Sequence, residues 1–171
     1  MIENTTEFLI QLQTEITNGL ETIDHTSKFS STHHTTESGG FTRPMVLSGS
    51  GVIEKAAVNV TLSRGSSLPS AVSEKNSHLA GRPFGAVSLS LIIHPSNPFI
   101  PTTHMNLRHF EIGGKSTSWH FGGGYDLTPT YGCFEDCKLW HQGAEAAAGD
   151  FYKAMKKDCD NYFYLPHRNE H

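Results

Sequence analysis

The sequence predicts an α+β domain, with strands in the middle of the chain and helices at its two ends. Apolar residues in the first 25 positions recur every three or four residues, which is the pattern of one helix face. Between residues 43 and 121, short alternating stretches are separated by Gly, Ser and Pro, which is typical of strands and turns. A length of 171 residues is enough for one domain with a sizeable core.

An amphipathic helix is predicted from Thr6 onward. Its apolar stripe, expected to pack on the domain, consists of Leu9, Leu12, Ile16, Leu20 and Ile23. Residues 25–40 are rich in Ser, Thr, His and Gly, a composition that predicts a flexible connection. We therefore assign the N-terminal helix and its connection to residues 1–36 and the domain proper to residues 37–171.

Several short strands are predicted next. Arg43–Leu47, Gly51–Glu54 and Ala57–Leu62 read as strands, interrupted by a turn over residues 48–51. Residues 63–83 are rich in Ser, Gly and Pro and predict a loop. Ala86–Ile93 is a long apolar strand that the following prolines end, because proline has no N–H for a ladder hydrogen bond.

The next strand has one entirely polar face. Alternation places His104, Asn106 and Arg108 on one side and residues 105, 107 and 109 on the other. A titratable ring, an amide and a fixed cation then lie in a row. The guanidinium can bind a carboxylate through two hydrogen bonds, beside a ring that can carry a proton. The alternative is the solvated outer face of a half-buried sheet.

A further strand is predicted over residues 116–121, followed by Gly122, Gly123 and Gly124. Three successive glycines allow positive φ and a close approach of the backbone to another group, whereas a simple strand would avoid them. Asp126 either orients a donor or caps a turn.

Helical character returns after Cys133. The residues near one helical face are Phe134, Cys137, Trp140, His141 and Ala144. Gly149 interrupts this helix, and a second helix is predicted over Asp150–Tyr162.

Composition excludes some classes of function. A net charge of −4 does not indicate a basic surface for binding nucleic acid. No apolar run is long enough to span a membrane. The N-terminus resembles neither a secretory signal nor a transit peptide. Cys133, Cys137 and Cys159 make an odd count, which favours reduced thiols and a cytoplasmic location.

Five segments resemble, in order, the oxygen-dependent coproporphyrinogen III oxidase family, over about residues 37–170. They are VIEKAAVNVT from Val52, SLIIHPSNPFIPTTH from Ser90, MNLRHF from Met105, WHFGGGYDLTPTYG from Trp119 and YFYLPHRNE from Tyr162. The resemblance implies a large antiparallel sheet flanked by helices, in a homodimer. It also implies oxidative decarboxylation of two propionates of coproporphyrinogen III to vinyl groups, giving protoporphyrinogen IX, with molecular oxygen as co-substrate.

The resemblance also implies a set of site residues. His104 is the implied proton donor, and Ser90, Asn106, Leu107 and Arg108 are the implied substrate contacts. The implied metal ligands are His94, His104, His141 and His167. The alternatives are a packed strand serine at Ser90 and ordinary hydrogen-bonded histidines. No G-x-G-x-x-G or C-x-x-C-H motif occurs, so no organic cofactor is expected, and the need for a divalent metal stays open.

The chain departs from the family at three positions, His120, Thr130 and Pro166, and at its end. The family sequence continues beyond the segment that ends at Glu170, so we expect an incomplete sheet with an unpaired edge and exposed apolar surface. Two functional hypotheses follow. The chain is either an enzyme of porphyrin biosynthesis or a truncated, inactive remnant that keeps a porphyrinogen-binding or partner-binding surface.

Overall fold

The computed structural model describes residues 1–49, 51–68, 79–113 and 118–170. The chain divides into two compact units, Met1–Tyr131 and Gly132–His171. The elements of the first unit are α1 (Ile2–Asp24), β1 (Ser30–Ser31), β2 (His34–Thr35), β3 (Phe41–Ser48), β4 (Ile53–Gly65), β5 (Phe84–Pro95), β6 (Thr102–Ile112) and β7 (Ser118–Thr128). Those of the second unit are α2 (Phe134–Ala148), a 3-10 turn (Gly149–Phe151) and α3 (Tyr152–Phe163).

The first unit is built on a single antiparallel sheet. Within the described residues it has seven strands in the order β1-β3-β4-β5-β6-β7, with β2 also paired to β3. From β3 to β7 each strand pairs with the next one along the chain, as short connections favour. This architecture confirms the predicted α+β class with a large antiparallel sheet.

The core lies between α1 and one face of the sheet. Alternate residues of β4 and β5 point to this face, and Val58, Val60, Val87 and Leu89 are completely buried there. Leu9 of α1 packs against them. Because alternate residues of each strand point to the other side, the paired residues Asn59 and Ser90, and Thr61 and Ser88, lie on the face opposite α1.

Two polar residues of α1 are buried more deeply than most of its apolar stripe. Gln13 and Thr17 have 0% and 1% exposure, whereas Ile23, predicted to belong to the buried stripe, is 57% exposed. Gln13 Nε2 donates hydrogen bonds of 2.8 Å to the carbonyl oxygens of Arg43 and Val58. Gln13 therefore fixes the position of α1 against β3 and β4 by direct contact with their backbones.

The C-terminal end of α1 is held by Asp24. Its carboxylate accepts hydrogen bonds from the Thr26 hydroxyl at 2.6 Å and from the backbone N–H of Ile53 at 2.9 Å. The backbone N–H groups of Thr26 and Ser27 also donate to it. These donors, led by the Thr26 hydroxyl and the Ile53 N–H, lower the pKa of Asp24 from 3.8 to about 2.

Asp24 should make the stability of the fold sensitive to acid. A carboxyl whose folded pKa lies below its unfolded value stabilises the fold fully above the unfolded pKa, and this contribution is lost as pH falls. We expect the loss between about pH 4 and pH 2, because the pKa falls from 3.8 to about 2. Thermal unfolding of wild type and Asp24→Asn across this range measures it. The wild-type melting temperature should fall more steeply than that of the variant, and parallel curves would contradict the assignment.

The strands are longer than the sequence predicted. Ala57–Leu62 and the second half of Gly51–Glu54, predicted as two strands, belong to the single strand β4, whereas Gly51 and Val52 precede it. The pairing of β4 is irregular between Ile53 and Lys55. β4 also continues to Gly65, into the predicted loop. The predicted flexible connection contains β1 and β2, which pair with β3. Ser50, residues 69–78 and residues 116–117 of the predicted turn, loop and strand lie outside the described residues.

The helices of the second unit confirm the predicted helix, interruption and helix. Gly149 ends α2 at φ +53°, a conformation that glycine adopts without strain. Every residue of α2 and α3 is exposed or half-buried. The most exposed apolar side chains of the second unit are Phe134, Leu139, Phe151 and Tyr162. Across the described ranges, the chain has no helix with the length and hydropathy needed to cross a membrane.

Candidate functional site

The sheet face opposite α1 carries a polar surface formed by three adjacent strands. The strand register places Ser90 of β5 beside Asn106 of β6, and His104 of β6 beside Asp126 of β7. Arg108 follows two positions after Asn106 and therefore points to the same face. The structure brings together on this face four of the residues that the sequence singled out, His104, Asn106, Arg108 and Ser90.

His104 and Asp126 form a close pair. His104 Nδ1 lies 2.8 Å from Asp126 Oδ1, and both side chains are partly exposed, at 39% and 45%. The Thr128 hydroxyl also donates to Asp126 Oδ1, at 3.3 Å. An ionised carboxylate only accepts hydrogen bonds, so the proton of a neutral His104 ring lies on Nδ1. Nε2 is then the nitrogen that can exchange a proton with a ligand.

Arg108 and Asn106 are available to a ligand. Within the described residues, Arg108 forms no salt bridge, and its side chain is exposed. The Asn106 amide makes one long contact of 3.5 Å, with the carbonyl oxygen of Leu89. Arg108 and His104 are four residues apart along β6, a separation of about 14 Å between their backbones. A ligand that contacts both side chains must therefore be larger than a single carboxylate group.

The three glycines lie inside β7, which corrects the expectation that a strand would avoid them. A Cβ atom added at Gly122 would lie 3.1 Å from Arg108 Nε, so the absence of a side chain leaves room for the guanidinium. A Cβ at Gly123 would collide with the backbone carbonyl oxygen of Asn106. A Cβ at Gly124 would meet nothing within 4 Å. The glycines thus allow β7 to pair closely with β6 and leave the polar face uncovered there.

Leu107 lies on the opposite face of β6. Its side chain packs against the buried cluster under α1 together with Met105. A substrate contact at Leu107 stays a prediction, and it would have to involve the main chain.

A polar cluster that no sequence motif indicates lies farther along the same face. Asn59 of β4 pairs with Ser90, and its amide joins the hydroxyls of Thr42 and Thr61. Alternation alone predicts that Asn59 and Thr61 share one face of β4. The pairing register, which sequence does not reveal, is what places them beside the Ser90 row.

The four predicted metal ligands are divided between the two units. In the first unit, His94 Nδ1 lies 3.4 Å from the Thr102 hydroxyl, and His104 is paired with Asp126. In the second unit, His141 Nδ1 lies 3.1 Å from the Tyr152 hydroxyl, and His167 is exposed. Within each unit, no three described His, Cys, Asp or Glu residues are grouped so that they could hold a metal ion. The four-histidine ligand set stays a prediction.

A family model described as coproporphyrinogen III oxidase matches residues 4–171. The match begins inside α1 and therefore extends well before the five segments whose resemblance starts near residue 37.

Proposed function

The chain belongs to the coproporphyrinogen III oxidase family, and on this premise we propose that it converts two propionates of coproporphyrinogen III to vinyl groups, giving protoporphyrinogen IX. Molecular oxygen is the proposed oxidant and no organic cofactor takes part. For each propionate, a C–H bond and the bond to the carboxyl carbon break, a C=C bond forms, and carbon dioxide leaves. The two electrons and two protons released reduce one oxygen molecule to hydrogen peroxide, so atoms and electrons balance.

The arrangement of His104 with Asn106 and Arg108 is the observation that supports this proposal. A flexible tetrapyrrole with four propionates needs a cation for a carboxylate and, at a distance, a group that moves protons. Arg108 provides the cation, and its guanidinium can donate two parallel hydrogen bonds to a carboxylate. His104, about 14 Å away along β6, provides the proton carrier.

The proposed roles follow from this geometry. Arg108 binds a propionate that does not react while it is held there, and Asn106 and Ser90 donate hydrogen bonds to the part of the substrate between the two ends. His104 Nε2 takes or returns a proton at the reacting ring or side chain. Asp126 accepts the Nδ1 proton of His104 and holds the ring so that Nε2 faces the ligand. Orientation of the substrate against these groups is the largest contribution that the protein makes.

Compartment and assembly are further parts of the proposal. The three cysteines are exposed and free, which supports a reducing compartment such as the cytoplasm. A homodimer and a divalent metal stay predictions of the resemblance.

The proposal is tested by incubating freshly reduced coproporphyrinogen III with the purified chain in air and separating the oxidised products by chromatography. We expect loss of two carboxyl groups per tetrapyrrole above a control without protein. A folded chain that binds a porphyrin without converting the porphyrinogen would contradict the enzymatic proposal. That result would instead support the inactive, porphyrinogen-binding alternative.

A further inference from the structure

A cavity of about 350 Å³ opens beside Arg108 on the first unit. Residues 86–88 of β5, residues 108–110 of β6 and His120 of β7 line it. The cavity is separate from the His104–Asp126 pair, because Arg108 lies about 14 Å along β6 from His104. From sequence alone, His120 is a departure from the family pattern, and no motif indicates a role for Ser88.

Three of the lining residues can donate hydrogen bonds to an anion. Ser88 is paired directly with Arg108 across the β5–β6 ladder, so their side chains are neighbours on one face. Arg108 extends over Gly122, the next residue of β7 on the same face as His120. A hydroxyl, a guanidinium and an imidazole therefore surround one small volume. No aspartate or glutamate is among the described residues that line it.

Apolar side chains supply other parts of the wall, among them Ala86, Val87 and Phe110. The Phe110 ring stacks on Phe84 with a centroid distance of 5.8 Å and lies 5.4 Å from the His120 ring, tilted by 30°. The Phe110 ring therefore lies between the rings of Phe84 and His120. Such a wall suits the two methylene groups of a propionate, while the three donors suit its carboxylate.

We propose that this cavity seats one propionate of the substrate, remote from the reacting one, and that Ser88 and His120 are substrate-positioning residues that complete the carboxylate site of Arg108. The inference rests on the proposed function, because it assumes a ligand with several carboxylates. Its distinctive content is that His120, where the family usually has an aromatic residue, strengthens carboxylate binding in this chain. Ser88 and His120 contribute to binding and leave the chemical step to the residues around His104.

The test uses Ser88→Ala and His120→Phe. The phenylalanine keeps a ring against Phe110 while removing both ring nitrogens. Matched controls are Ser48→Ala at the end of β3 and His33→Phe, which keeps the stacking of residue 33 on Phe41. Fluorescence titration measures the Kd of each protein for coproporphyrin III, which has four free carboxylates, and for its tetramethyl ester. Steady-state assays with coproporphyrinogen III give KM and kcat.

Each cavity variant should bind the tetracarboxylate about tenfold more weakly, as the loss of one hydrogen bond to a charged group predicts. Binding of the ester should not change, and neither control should differ from wild type. KM should rise while kcat changes less than about twofold, because the lost contact is made equally before and during reaction. Unchanged affinity of both variants for the tetracarboxylate would overturn the inference and leave the proposed function intact. Weaker tetracarboxylate binding by the variants, in a chain that shows no turnover at all, would support the cavity and contradict the proposed function.

Discussion

Replacing His104 with alanine is expected to lower kcat by at least about a hundredfold, the usual range of a lost general acid or base. His104 is the titratable side chain on the polar face that is paired with a carboxylate, Asp126, at 2.8 Å. Its removal leaves Asn106 and Arg108 in place, so substrate affinity should change much less than turnover. Initial rates at saturating coproporphyrinogen III, with porphyrin binding measured on the same samples, check both parts of the expectation.

Two further variants separate the role of the ring from a general effect on the fold. Asp126→Asn should also lower kcat, but less than His104→Ala, because the amide can still contact the ring but, as both donor and acceptor, no longer fixes the proton on Nδ1. His33→Ala changes an exposed histidine near β2 and should leave kcat unchanged. Equal turnover of His104→Ala, His33→Ala and wild type would remove His104 from the mechanism.

Gly123→Ala is expected to destabilise the first unit by about 1–3 kcal/mol, the range for forcing an extra carbon atom into a packed site. The added Cβ would collide with the backbone carbonyl oxygen of Asn106 and lie 3.1 Å from Leu107 Cδ2. Because the first of these is backbone, relief requires β6 and β7 to move apart. Chemical denaturation of the purified variant measures the loss directly.

Gly124→Ala is the matched control for this prediction. It adds the same atom to the next residue of β7, where nothing lies within 4 Å. Alanine restricts the unfolded chain more than glycine does, so we expect unchanged or slightly higher stability. If Gly123→Ala and Gly124→Ala unfold at the same denaturant concentration, the close approach of β7 to β6 at Gly123 is wrong.

The two-residue alternation of the sequence was enough to predict the polar face of β6. The same rule separated His104, Asn106 and Arg108 from Leu107, and the structure places them accordingly. It could not show that Asp126 lies beside His104, because strand register depends on the pairing of two segments that sequence periodicity does not connect. Sequence alone therefore does not distinguish between the two roles of Asp126, and the pairing with His104 does.

Contacts between segments that are distant in sequence also explain the other differences between the predicted and the observed structure. Gln13 looks like a surface residue in the helical pattern, yet it is completely buried because its amide meets two strand carbonyls. Glycine has a low strand propensity, so local sequence alone predicts that the three glycines of β7 do not belong to a strand. They are explained by contacts of Gly122 and Gly123 with Arg108 and Asn106, which exist only in the paired sheet. Ser88 and His120 likewise become neighbours of Arg108 only through that pairing.

The most direct test of the account is the position of a bound tetrapyrrole in an experimental structure of the chain with coproporphyrin III. We expect the macrocycle to lie on the sheet face opposite α1, across β5, β6 and β7. One carboxylate should contact Arg108 in the cavity with Ser88 and His120, and another part of the ligand should approach His104 Nε2. A macrocycle bound away from this face, with Arg108 and His104 both free of ligand, would contradict the central claim.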